Sequence, residues 1–124
     1  MKYKCYLTSL VIYDLMYQVK AKKIASRTAT FLIKASKEQL RVHIEVWEIP
    51  YPESKKFPDG LKFSIVAFIE NNTSDAVVVD CHPPKGPHFH FEGKETQFEW
   101  KGLEEAEELF WDLVEKKFGK IEEV

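Results

Sequence analysis

The sequence lacks most of the features that identify a small protein at once. Two cysteines in 124 residues, Cys5 and Cys81, are too few for a disulfide framework and read as thiols of a reducing compartment. No apolar run approaches the roughly 20 residues needed to cross a bilayer. The five glycines form no phosphate-cradling loop, no dinucleotide fingerprint and no Gly-x-Ser-x-Gly elbow. A net charge of −2 excludes a strongly basic nucleic-acid binder and a highly charged disordered tail. Lys2 and Lys4 precede an apolar stretch from Cys5 to Tyr17, but Asp14 interrupts it and no small-x-small cleavage pattern follows closely. The expectation is a cytoplasmic chain.

What is present suits one domain over residues 1–124. The aromatic share of 14% is generous, and large rings bury much area per residue, so a real core forms at this size. The net charge hides an asymmetry: residues 1–62 hold twelve Lys+Arg against six Asp+Glu, and residues 63–124 hold six against fourteen. A positive field on one face is compatible with a slightly acidic whole. A solvated, mixed surface accounts for the same count. The densest basic cluster is Lys20, Lys22, Lys23 and Arg27.

Residues 3–24 read weakly as a strand or a short helix leading into a sheet. From Arg27 the pattern is plainly β. Ala29, Phe31, Ile33 and Ala35 alternate with polar residues, and Leu40, Val42, Ile44 and Val46 share one strand face opposite Arg41, His43, Glu45 and Trp47. Leu61–Glu70 is the next strand, with Leu61, Phe63, Ile65, Ala67 and Ile69 facing the core. Asn71–Asp75 reads as a turn and Ala76–Asp80 as a short apolar strand. Cys81–Pro87, with three prolines, reads as a loop that is neither helix nor central strand. His88–Phe91 and Thr96–Trp100 then alternate around Gly93 as a hairpin.

The last element is a helix. Leu103, Ala106, Phe110, Leu113 and Phe118 form one stripe, glutamates crowd the first turns, Lys116 and Lys117 occupy the last, and Gly119 follows. The expected fold is therefore α+β: a mainly antiparallel sheet with the C-terminal amphipathic helix packed on one face.

The chemistry concentrates between Cys81 and His90, where three of the four histidines lie. On a strand, His88 and His90 project to one face, with imidazoles about 6–7 Å apart along the chain. That spacing suits two metal ligands or a general acid and base. Cys81, His82, His88 and His90 number four, but their spacing fits no standard zinc pattern, so no metal or cofactor is expected. Histidine titrates near neutrality, and a pair beside Lys85 has the chemistry to deprotonate a hydroxyl and stabilise a phosphorane. The plain alternative is that the prolines set the loop and the histidines bond to backbone in the sheet.

The run Val79-Asp80-Cys81-His82-Pro83, followed by Gly86-Pro87-His88-Phe89-His90, resembles the signature of TumE-like toxin-type proteins of prokaryotic toxin–antitoxin pairs. In that family a strand ends in a short Asp-containing motif with His and Pro, and a His-x-His precedes a C-terminal helix. The family usually carries Arg-Tyr-Asp-Asn at the motif, where this chain has Val78-Val79-Asp80-Cys81. The resemblance implies a toxin-like or nuclease-like role and a helix-turn-helix antitoxin as partner. The leading expectation is RNA cleavage without metal, with His88 and His90 as the acid–base pair. His82 and Lys85 would hold the phosphate, and Lys20, Lys22, Lys23 and Arg27 would attract the backbone. Two alternatives stand beside it: a non-catalytic interaction module presenting Trp47, Trp100 and Trp111, and a metal-dependent hydrolase. A homodimer is the default assembly, because edge strands of small aromatic-rich domains are often hidden that way.

Overall fold

The computed structural model describes residues 21–124. The reading of residues 3–20, Cys5 and Lys20 included, lies outside the described residues. Among the described residues seven strands form one antiparallel sheet: β1 Lys22–Ile33, β2 Gln39–Glu48, β3 Leu61–Ile69, β4 Asn72–His82, β5 Gly86–Phe91, β6 Lys94–Gln97 and β7 Ile121–Glu123. Their spatial order is β6-β5-β4-β3-β2-β1-β7. The first six thus run as a meander, in which each strand pairs with the next. The helix α1, Leu103–Phe118, then carries the chain back so that β7 pairs with the end of β1. At 1.5 Å per residue a 16-residue helix spans ~24 Å, most of the ~29 Å between the outer strands of seven spaced ~4.8 Å apart. The α+β expectation holds.

The core lies between α1 and one face of the sheet. Leu40, Val42, Ile44 and Val46 from β2, Phe63, Ile65 and Ala67 from β3, and Val77, Val79 and Cys81 from β4 meet Ala106, Phe110, Leu113 and Val114. The alternation anticipated for β2 and β3 is thus the alternation observed. The helix ends at Gly119, whose N–H donates to the Glu115 carbonyl at 2.8 Å with φ +79°, a conformation glycine adopts without steric cost.

The opposite face of β3 was not expected to be inside. Lys62, Ser64, Val66 and Phe68 are all buried there, as are Val78, Asp80 and His88 beside them. The sheet therefore carries a second, smaller apolar patch of Val66, Phe68 and Val78, continuous with polar side chains that are equally shielded.

Three local readings are corrected. Asn71–Asp75 is not a turn: β4 begins at Asn72, opposite Ile69, and only Glu70 and Asn71 lie between. The polar residues Asn72–Asp75 belong to the outer end of a strand that extends past the core. The second hairpin strand stops at Gln97 instead of reaching Trp100. Beyond it the chain turns so that the Trp100 ring stacks on Phe63 at 5.2 Å and its Nε1–H donates to Asp59 at 2.8 Å. The turn before it is as anticipated, because Glu92 and Gly93 both take positive φ, as a two-residue type I′ hairpin requires.

The third correction concerns Cys81–Pro87. Cys81 and His82 complete β4, Gly86 and Pro87 begin β5, and only Pro83, Pro84 and Lys85 form the turn. Pro87 fits because its carbonyl accepts from the Phe98 N–H at 3.2 Å. Its ring nitrogen faces the same way, past the end of the β6 ladder, so its missing donor breaks no bond to β4.

Candidate functional site

Once β4 and β5 pair around that turn, the register is fixed: Val78 faces His90, Asp80 faces His88, and His82 faces Gly86. Residues two apart on a strand share a face. Asp80 and His82 therefore stand on the same side as His88 and His90, the side away from α1. The His82 and His88 rings lie 5.4 Å apart and the His88 and His90 rings 5.1 Å apart, each pair edge to face. On β6, Glu95 is opposite His90 and brings its Oε1 within 3.7 Å of the His90 Nε2.

The row grades from buried to exposed. Asp80 is 1% exposed and His88 fully buried, whereas His82 and His90 are partly open to solvent. The His88 Nδ1 lies 2.8 Å from the Gly86 carbonyl. A carbonyl only accepts, so Nδ1 carries the proton. The His88 Nε2 then lies 2.6 Å from the Asp80 Oδ1. That approach is close enough for an ion pair, but neither Asp80 oxygen nor His88 Nε2 makes a properly directed hydrogen bond. Proximity and charge, not a well-aligned hydrogen bond, couple the two. Burial alone lowers the His88 pKa, but Asp80, the Gly86 carbonyl and Glu95 together raise it above the ordinary imidazole value.

Lys85 stands over the open end of the row, with its Nζ 3.1 Å from the Glu95 Oε1. That bond holds the Glu95 carboxyl below the usual carboxylate range. Buried Lys62 lies two residues from Ser64, which is opposite Asp80, and so shares its face.

Other anticipated residues do not join the row. Cys81 points into the core beneath α1, on the other face from its neighbours Asp80 and His82. Burial, and then the Asp80 charge, push its thiol up to about 12. At pH 8 the native Cys81 should therefore react with iodoacetamide about a thousandfold more slowly than an unperturbed thiol. Mapping of the labelled Cys81 peptide by mass spectrometry checks this, and labelling at the rate of the unfolded chain would refute it. Lys22 and Lys23 lie on β1, four strands from β5 and so ~19 Å across the sheet. Lys23 pairs with Glu45 and lies over the Trp47 ring. Arg27 is on the α1 side, 3.7 Å from Glu107, and lines a cleft of about 330 Å³ with Phe31 and Trp111 that is remote from the histidines. His43 packs parallel to Phe68 at 5.8 Å.

Trp47, Trp100 and Trp111 are all partly buried, and the exposed large apolar side chains are Ile24, Tyr51 and Val124. No helix among the described residues is long and apolar enough to cross a membrane.

Two members of the row were undervalued in the sequence. Asp80 was read only as part of the run Val79–Pro83, with no role of its own, and Glu95 was not singled out. The signal for both was register. A three-residue turn centred on Pro84 places Asp80 opposite His88, and a Glu92-Gly93 turn places Glu95 opposite His90. No family model matches the chain, and neither a curated protein nor a solved structure matches it.

Proposed function

We propose that the chain cleaves RNA at the histidine row of β4 and β5, in the manner suggested by its resemblance to TumE-like proteins. The observation that carries this reading is the convergence of His82, His88 and His90 on one sheet face, graded from a buried end to an open one. The grading redistributes the roles. His88 is fully buried and Asp80 occupies its second nitrogen, so it is a positioning residue. His90 is the histidine that meets substrate: its side chain is 27% exposed and stands between His88 and Glu95. It accepts the ribose 2′-OH proton as the 2′-oxygen attacks the adjacent phosphorus. The 5′-oxygen leaves with a proton taken from a water molecule at the open end of the row, and the proton held by His90 restores that water. Lys85, beside Glu95, is an exposed cation placed to hold a phosphate. Lys22, Lys23 and Arg27 stand too far away to hold the same phosphate.

A cytoplasmic location and a helix-turn-helix antitoxin partner belong to this reading. So does a homodimer, for which the edge of β1 from Lys22 to Ala29, unpaired by β7, is the place for strand addition.

The test is RNA cleavage by the purified chain beside His90→Ala and His90→Gln. Loss of a positioned acid–base group costs roughly 10²–10⁴-fold in rate, and both variants should fall in that range while keeping the wild-type circular dichroism. Undiminished cleavage by folded His90→Ala would remove His90 from the chemistry. No cleavage by folded wild type would remove RNA as the substrate.

A further inference from the structure

We propose that Asp80, His82 and His88 bind one divalent transition-metal ion. The inference uses the same row of side chains as the reading above, but it does not depend on RNA being the substrate. One donor atom from each of the three residues lies within 4.8 Å of the other two. Donors sharing an ion at bond lengths of 2.0–2.2 Å stand roughly 3–4.4 Å apart, so shifts of a few tenths of an ångström close the set.

The second observation is the buried, unsatisfied chemistry inside the cluster. Both Asp80 oxygens and the His88 Nε2 are shielded from water and make no directed hydrogen bond. A carboxylate 1% exposed needs a cation beside it, which is the His88 imidazolium when no ion is bound and the ion itself when one is. In the ion-free chain the 2.6 Å approach of Oδ1 to Nε2 is the contact of an ion pair, and an ion bound by both atoms would replace the proton between them and open the pair to roughly 3 Å or more.

The third observation is tautomer control. The His88 Nδ1 faces the Gly86 carbonyl at 2.8 Å, and the His82 Nδ1 faces the Pro83 carbonyl at 3.3 Å. Both carbonyls come from the β4–β5 turn and its flank, and each demands a proton on Nδ1. Each ring therefore has Nε2, not Nδ1, to offer an incoming ion. Metal-binding histidines are held this way by the partners behind them.

A neighbouring trio, His88, His90 and Glu95, also lies within 4.8 Å. It is the weaker set. The single available nitrogen of His88 is turned to Asp80, and Glu95 is held by Lys85. The geometry therefore leaves His90 beside the ion instead of on it, where it remains a base. Two imidazoles with one carboxylate select Zn²⁺, Fe²⁺ or Co²⁺ over the all-oxygen ions Mg²⁺ and Ca²⁺.

The test is titration of the full-length chain, stripped with EDTA and dialysed, with Co²⁺ followed by visible absorption and with Zn²⁺ followed by calorimetry. One equivalent should bind with micromolar affinity or better, and millimolar Mg²⁺ should not displace it. Asp80→Asn preserves shape and His82→Ala lies at the partly open end, so both are suited to remain folded. Each should weaken binding by more than the roughly 10–100-fold that loss of a ligand's supporting partner costs. His90→Ala should still bind one equivalent. Absence of stoichiometric binding, wild-type affinity in Asp80→Asn, or loss of binding in His90→Ala would each overturn the assignment. The titration contains no RNA. Binding without cleavage would sink the RNA reading alone, and cleavage by a chain that binds no ion would sink this one alone.

Discussion

Asp80→Ala, in metal-free buffer, should lower the unfolding free energy by about 3 kcal/mol, at the low end of the roughly 3–5 kcal/mol typical when one partner of a buried ion pair is removed. Asp80 and His88 are 1% and 0% exposed and stand 2.6 Å apart, so deleting the carboxylate strands a protonated imidazole where water does not reach it. The low end applies because an imidazole can shed its proton, an escape that an arginine lacks. The paired replacement Asp80→Val with His88→Leu should behave in the opposite way. Apolar residues that fill a buried pair's space are often neutral, or stabilising by roughly 1–4 kcal/mol. The Gly86 carbonyl, at the partly exposed turn, recovers a bond to water. Urea unfolding of Asp80→Val, His88→Leu and the double variant supplies the cycle. Recovery in the double variant would show that the pair is kept for its chemistry at the expense of stability, as functional sites often are. A single variant that unfolds at the wild-type urea concentration would mean that the pair contributes nothing.

Phe110→Ala should cost about 3–5 kcal/mol, the range for emptying a buried phenylalanine site. Phe110 has no exposed surface, and its ring meets Trp111 edge to face at 4.9 Å. It lies in the middle of α1, which packs over the core face of β3 and β4 together with Phe57 and Trp100. Sheet residues are held by a register of backbone bonds and cannot move inward to fill the space. Against a total stability of roughly 5–15 kcal/mol for a domain, the loss should bring thermal unfolding close to the working temperature. Differential scanning calorimetry reads it directly. A shift no larger than that of an exposed substitution such as Glu108→Ala would mean that α1 is not what holds the core together.

Both expectations draw on parts of the molecule that were unequally legible beforehand. Periodicity by itself determined the strands of β2 and β3, the helix and the face each presents to the core. Alternation at two residues and recurrence at three to four are local properties that the chain displays without reference to its neighbours. The clustering of His82, His88 and His90 was equally visible, because the three fall within nine residues of the chain. Local pattern failed where proline seemed to forbid a strand. Pro87 is tolerated only because β6 ends before reaching it, a fact about a neighbouring strand and not about proline. With that segment read as a loop, the register across the β4–β5 turn was lost, and with it the partnership of Asp80 with His88. Cross-strand register also decided that Cys81 faces the core while Asp80 and His82 face the other way, and that Glu95 rather than a basic residue stands beside His90. Burial was decided later still. An aspartate and a histidine at opposed positions are ordinary surface residues until tertiary packing removes the water, and that removal turns their contact into a tightly coupled buried pair.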